Sequence, residues 1–185
     1  MQNMKIFMII FILIFVLLIT DNIEFFKDLN KIRVAILIIT LRGQERHENE
    51  RKQWEKYMKK YSNVDCFFIE CDNKENFETI YSKCGESYIP GIFQKSILSL
   101  DKVGNKYDFY IRTNLSSFFI IQNLLDKLET LPQLRPYYSG VYCAAKSWVG
   151  GFGILLNKKS REILLTNAFK KKYFEDSKTP DDVMI

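Results

Sequence analysis

The chain has 185 residues, 47% hydrophobic and 15% aromatic, with a formal net charge of +5. That length leaves room for about one domain behind an apolar leader, and that composition excludes a disordered chain. The positive charge is spread out, and its one dense run, Lys170-Lys171-Lys172, falls where a helix end favours cations. With no basic stripe and no known binding motif, nucleic acid is not an expected partner.

Ile6–Ile19 is unbroken apolar sequence preceded by Lys5. Its length suits a signal-peptide core or a short membrane anchor. No small-residue cleavage site follows, since the next residues are Thr20, Asp21, Asn22 and Ile23. An uncleaved signal anchor over residues 1–20 is therefore favoured, with a cleaved signal peptide as the alternative. Lys27, Lys31 and Arg33 follow the leader, so flanking charge fixes its orientation only weakly. Residues 21–32 read as a stem, and a domain is expected over 33–185.

Val34–Ile39 is a short continuous apolar run, the signature of a strand buried on both faces of a parallel sheet. Gln44–Tyr61 is densely charged, with Trp54, Tyr57, Met58 and Tyr61 recurring at helical spacing, which predicts a surface helix packed through aromatics. Val64–Ile69 supplies a second strand. Asn73–Glu86 is polar and reads as a loop with a short helix. Pro90 and Gly91 mark a helix start, with Phe93, Ile97 and Leu100 along one face.

Phe109-Tyr110-Ile111 then has strand composition and runs into a polar turn, Arg112-Thr113-Asn114-Leu115-Ser116-Ser117. A helix is expected over Phe118–Leu128, with Ile121, Leu124, Leu125 and Leu128 on one face. Tyr137–Cys143 is a strand candidate with Gly140 at a bulge. Gly150-Gly151-Phe152-Gly153 reads as a turn that needs unusual backbone angles or a close approach to a ligand. Ile154-Leu155-Leu156 forms a brief strand, and Asn157 caps a helix through Leu165. Alternating strands and helices give an α/β fold.

Among the four cysteines, Cys66, Cys71, Cys84 and Cys143, no close doublets suggest zinc. In a lumenal domain they allow up to two disulfides in three connectivities. Cys66, in an apolar strand, reads as a small buried side chain. His47 is the only histidine, so Ser-His-Asp chemistry and histidine-rich metal sites are not expected.

Three stretches carry chemistry. In an open α/β sheet, ligands bind beyond the carboxyl ends of the strands, which makes the turn Arg112–Ser117 a candidate cradle; its structural alternative is a helix N-cap. Trp148-Val149-Gly150-Gly151-Phe152-Gly153 offers an aromatic face and glycines for a sugar ring, or merely a turn. Asp181-Asp182 after Pro180 offers carboxylates able to take a proton from a hydroxyl nucleophile, or a solvated helix start.

Taken in order, these stretches resemble the Fringe and β-1,3-galactosyltransferase/N-acetylglucosaminyltransferase group of inverting, nucleotide-sugar-dependent enzymes, from about Arg33 to Ile185. Glu50-Arg51-Lys52-Gln53-Trp54 stands where that group has an Arg-rich segment ending in Thr-Trp. Ile89–Ser96 resembles the helix start before the central strand, and Phe109–Phe119 the strand and turn with the Asp-x-Asp motif. Trp148–Asn157 resembles the glycine-rich turn, and Pro180-Asp181-Asp182-Val183 the segment with the catalytic base.

The resemblance implies a Rossmann-like GT-A-type sheet with helices on both faces, preceded by an N-terminal hydrophobic helix. It implies a membrane-anchored, type II protein of the ER or Golgi lumen that moves a hexose or N-acetylhexosamine from a UDP-sugar to a glycan or glycoprotein hydroxyl. Asp182 would be the base, with Asp181 next in line. Arg112, Thr113, Asn114, Ser116 and Arg51 would hold the donor, and Trp148, Gly150, Gly151 and Phe152 would shape the sugar pocket. The family's divalent cation (Mn2+ or Mg2+) would fall to Asn114 and Ser116, where Asn114-Leu115-Ser116 replaces Asp-x-Asp and lowers metal affinity. In the family a glycine and a further segment follow this point, so the expectation is either a chain truncated after Ile185 or a minimal version of the domain. The alternatives to a transferase are a catalytically silent, membrane-tethered nucleotide-sugar or carbohydrate binder and a purely structural membrane protein.

Overall fold

The structure is a computed structural model that describes residues 31–41, 45–57, 60–71, 79–143 and 148–170. The chain divides at Lys31/Ile32 into two units, and the fold below belongs to the second. Among the described residues no helix is long and apolar enough to cross a membrane; the leader, the stem as far as residue 30, and Asp181 and Asp182 lie outside them.

The elements run β1 (Val34–Ile39), α1 (Glu45–Glu55), β2 (Val64–Cys71), β3 (Thr79–Ser82), α2 (Gly91–Lys102), β4 (Phe109–Asn114), α3 (Ile121–Glu129), β5 (Tyr138–Cys143), β6 (Trp148–Asn157) and α4 (Lys158–Lys170). They build one mixed sheet in the order β3-β2-β1-β4-β6-β5. β1 lies parallel to both β2 and β4, and β3 parallel to β2. β6 runs antiparallel to β4 and to β5.

Strand alternation divides the core. Val34, Ile36 and Ile38 face a layer with Trp54 of α1 and Ile121 and Leu128 of α3. Ala35 and Leu37 face the opposite layer, with Phe93, Ile97 and Leu100 of α2 and Leu165 and Ala168 of α4. Helices therefore cover both faces, which is why β1 reads as unbroken apolar sequence rather than as alternation.

From β1 the chain steps outward to β2 and β3, then α2 returns it to β4 on the other flank of β1. Ile39 at the end of β1 pairs in register with Asn114 at the end of β4. The two carboxyl ends thus meet where the winding reverses, the place at which open α/β sheets hold ligands.

Several elements differ from expectation. The first helix ends at Glu55, because Lys56 and Tyr57 donate to the carbonyls of Gln53 and Trp54, three residues back. Within its aromatic stripe Trp54 is buried and Tyr57 exposed; Met58 lies outside the described residues. Inside the stretch expected to be loop and short helix, Thr79–Ser82 forms an edge strand; four residues are too few to show a period, and β2 supplies the pairing. β4 continues through Asn114, and α3 starts at Ile121 rather than Phe118.

The glycine run is strand, not turn. Between the pairs Gly140↔Ile154 and Tyr142↔Val149, β6 advances further than β5. Gly150–Gly153 therefore bulges out of the ladder, opposite the irregularity expected at Gly140.

Asn157 caps α4 as expected, accepting from Ser160 N–H at 3.0 Å. It also accepts from Tyr137 N–H at 3.1 Å and donates through Nδ2 to the carbonyls of Pro132 and Arg135, at 2.8 and 2.6 Å. Fully buried, this amide has both donors and both acceptor positions in use.

Candidate functional site

Where β1 and β4 end, a hollow of about 260 Å³ is lined by Ile39, Arg46, His47, Glu50, Asn114, Leu115 and Ser116. The turn after β4 builds one wall: Ser117 N–H donates to the Asn114 carbonyl at 3.1 Å, and Leu115 is buried. Trp54 Nε1–H donates to the Leu115 carbonyl at 2.8 Å, which ties this turn to α1. The first turn of α1 builds the other wall with Arg46 and His47. The alternative reading of Asn114–Ser117 as a helix cap does not hold, because α3 has Ile120 at its cap position, without a side-chain cap bond.

Asn114 and Ser116, both expected to hold the donor, line this hollow. Arg112 and Thr113 do not line it; they turn to β6. Buried Arg112 donates through Nη1 to the Gly151 carbonyl and to Asn114 Oδ1 at 3.0 Å. Thr113 Oγ1–H donates to the Phe152 carbonyl at 2.9 Å. These partners explain why polar residues continue β4, and why position 151 is glycine: a Cβ there would collide with the Arg112 guanidinium. The close approach expected of the glycine run is to that cation, and none of its glycines has a positive φ.

Gly150 and Gly151 are buried and Phe152 exposed; Trp148 opens β6, and its side chain lies outside the described residues. Arg51 is engaged elsewhere. Its guanidinium donates to Glu70 at 2.5 Å and Thr79 at 2.6 Å and lies over the Phe68 ring, 4.0 Å from its centroid.

A second hollow, of about 350 Å³, adjoins the first and shares Ile39 and His47 with it. Thr40, Leu41, Glu86, Ser87, Tyr88, Ile92 and Lys95 complete its lining. Lys95 is 1% exposed; its ammonium donates to the Thr40 carbonyl at 3.1 Å and to Glu86 at 2.6 Å. The other Glu86 oxygen accepts from Cys71 N–H at 2.7 Å. Cys71 and Cys84 form a disulfide. One wall is thus fastened to the end of β2 by a covalent link and by Glu86, which bridges the Cys71 amide and the buried Lys95.

His47 stands between the hollows. Its Nδ1 lies 3.1 Å from the Leu41 carbonyl, which can only accept, so Nδ1 is the donor of that bond. Arg46, His47, Glu86 and Lys95 escape motif reading because they match no spacing. One signal did exist: Arg46 and His47 follow the first apolar strand at a predicted helix start.

The polar side chains of the smaller hollow are of both signs, Arg46 paired with Glu50 at 3.0 Å beside Asn114 and Ser116. The N-terminal turn of α1 presents backbone N–H groups and a positive dipole end, with Arg46 beside it. A divalent cation needs several charged oxygens. Here Asn114 Oδ1 already accepts from Arg112, and Glu50 is paired with Arg46 at 3.0 Å. Asn114 and Ser116 therefore do not fit a tightly held metal ion. Among the described residues no three His, Cys, Asp or Glu group as metal ligands.

The shifted titrations lie away from the hollows. Burial, with the charge of Asp65 beside it, pushes the Cys66 thiol up to about 12. Burial first, then the 2.7 Å hydrogen bond it donates to Asp65, raises the Tyr107 phenol. No family model matches this chain, and no curated protein matches it at a significant level.

Proposed function

We propose that the chain is a nucleotide-sugar-dependent glycosyltransferase of GT-A type, moving a hexose or N-acetylhexosamine from a UDP-sugar to an acceptor hydroxyl with inversion. The single observation carrying this reading is the pair of adjoining hollows at the meeting of the β1 and β4 carboxyl ends, one with Arg46, Asn114 and Ser116 beside a helix N-terminus and the other lined by Ile39, Leu41 and Ile92 with Lys95. The donor diphosphate occupies the smaller hollow, against the α1 N-terminus, Arg46, Asn114 and Ser116. The nucleoside occupies the larger one, above Lys95. No step runs through a metal ion.

Asp182 accepts the proton of the acceptor hydroxyl while that oxygen bonds to the anomeric carbon. The carbon–oxygen bond to UDP breaks on the opposite face, and the departing negative charge falls towards Arg46 and the helix dipole. Asp182 carries this role from the family resemblance, and the reading includes the lumenal, membrane-anchored setting.

The test is calorimetric titration of the full chain with UDP, followed by transfer assays. UDP binds the wild type. Arg46→Ala weakens it roughly tenfold, the scale of one charge-assisted contact. Asp182→Asn retains UDP affinity but loses transfer. Unchanged turnover in Asp182→Asn removes the mechanism. A second reading, a silent nucleotide-sugar-binding module, is favoured by Asn114 and Ser116 in place of carboxylates; UDP binding without turnover in the wild type selects it.

A further inference from the structure

Two aromatic rings stand half out of the surface, Tyr57 at 47% and Phe118 at 49% exposure. Phe118 is stacked on Trp54, with ring centroids 5.0 Å apart and planes at 19°. Trp54 is 1% exposed and hydrogen-bonded to the Leu115 carbonyl, so a fixed ring backs the inner face of Phe118. Tyr57 stands 6.3 Å from Phe118 at 51°, which makes an angled corner. Neighbouring Phe119 turns inward, near Gly153. Local sequence therefore had an inward place for one phenylalanine, yet the other lies outside on a rigid support.

We propose that Phe118 and Tyr57 form the acceptor platform of the transferase, on which a saccharide ring of the acceptor stacks through its C–H face. The inference rests on the transferase reading and names its acceptor class, a glycan rather than a bare protein hydroxyl. Size favours this occupant. Half-exposed, the two rings present on the order of 200 Å², far below the roughly 800 Å² that each partner contributes to a stable protein interface. They match one sugar ring instead.

Chemistry and position agree. Gln53, one helical turn before Tyr57, is exposed, and Ser116 and Ser117 reach solvent, so hydroxyl-matching groups border the rings. Phe118 follows Ser116 closely enough that their Cα atoms are at most about 7 Å apart. Along α1, His47 to Trp54 rises about 10 Å. The platform thus lies one or two sugar rings from the hollow assigned to the donor.

The experiment uses the full chain in a sugar-free detergent, with lactose, N-acetyllactosamine and chitobiose as probes. Saturation-transfer NMR detects contact, a titration gives the half-saturating concentration, and UDP affinity is measured in parallel. At least one probe binds the wild type. Phe118→Ala and Tyr57→Ala each weaken it by roughly fivefold or more, Phe118→Trp restores it, and UDP affinity stays constant throughout. Tyr57→Ala guards against a folding defect, because its ring supports nothing buried.

The proposal falls if no probe binds the wild type, or if the alanine variants bind as well as it does. It falls equally if light scattering shows a dimer that Phe118→Ala dissolves, which would give the patch to a second copy of the chain. Probe binding without any UDP binding keeps the platform and removes the transferase reading.

Discussion

At the scale of single residues, Arg112 and Gly151 act as one unit. The buried guanidinium needs the space a side chain at 151 would fill, and it orients Asn114 at the edge of the hollow. Gly151→Ala therefore displaces Arg112 or bends β6, at about 1–3 kcal/mol. Urea unfolding reads this as a lower midpoint, and an unchanged midpoint contradicts the packing described. Cys66 adds a pH dependence. Its thiol titrates near 9 when free and near 12 in the fold, so the folded state favours the protonated form. That contribution is intact below pH 9 and is lost as pH rises from 9 towards 12, by up to about 1.4 kcal/mol per pH unit. Cys66→Ala should flatten the fall in melting temperature that begins near pH 9; a variant with the wild-type slope refutes it. Sequence reading proposed Asn114 and Ser116 as donor-holding residues, and both line the smaller hollow. It assigned Arg112 and Thr113 to a ligand from their turn, and Arg51 through the family resemblance, because a cation or hydroxyl carries no mark of its partner. The partners, Gly151, Phe152, Glu70 and Thr79, are distant in sequence and emerge only when β4 meets β6 and α1 meets β2 and β3.

Among the elements, legibility followed side-chain pattern. A continuous apolar run exposed β1, the aliphatic and aromatic residues of Val64–Ile69 exposed β2, and spaced apolar residues exposed α2 and α3. The glycine run of β6 has little side-chain pattern to read, and its place in the strand comes from the paired residues on either side of it, Trp148 and Val149 with β5 and Ile154–Asn157 with β4. The short strand β3 is held in the same way, and the segment after it is fastened by sulfur. Reducing Cys71–Cys84 removes a link across a short loop, which costs about 3 kcal/mol. It also loosens Glu86, which bridges the Cys71 amide and Lys95. Glu86→Gln should cost about 2 kcal/mol, reduced from the value of a fully buried pair because the carboxylate is partly solvated. Unfolding with and without reductant, in wild type and Glu86→Gln, checks both. Equal stability in the presence and absence of reductant contradicts the brace.

For the whole molecule, the decisive fact is the reversal of winding between β1 and β4. It sets the end of one apolar strand beside a polar turn some seventy-five residues later, and it opens both hollows there. Sequence order foreshadowed an α/β sheet with its loops gathered at one end. It could not show that the hollows take their walls from the first turn of α1 and from the disulfide-bound segment before α2, since those residues resemble ordinary solvated sequence. A comparable joint lies at the opposite end of β6, where one carboxamide holds the start of α4 to the chain entering β5.

Asn157 there is isosteric with the acid that slow deamidation would make of it. An aspartate has no N–H to offer the Pro132 and Arg135 carbonyls, and its negative charge would face both at close range. Ageing of a stored sample at this one amide should therefore loosen the last helix from the sheet, and Asn157→Asp should mimic an old preparation, losing about 3 kcal/mol or more in a urea melt. Burial keeps that amide from water, so the fold protects the group whose chemical decay would undo it.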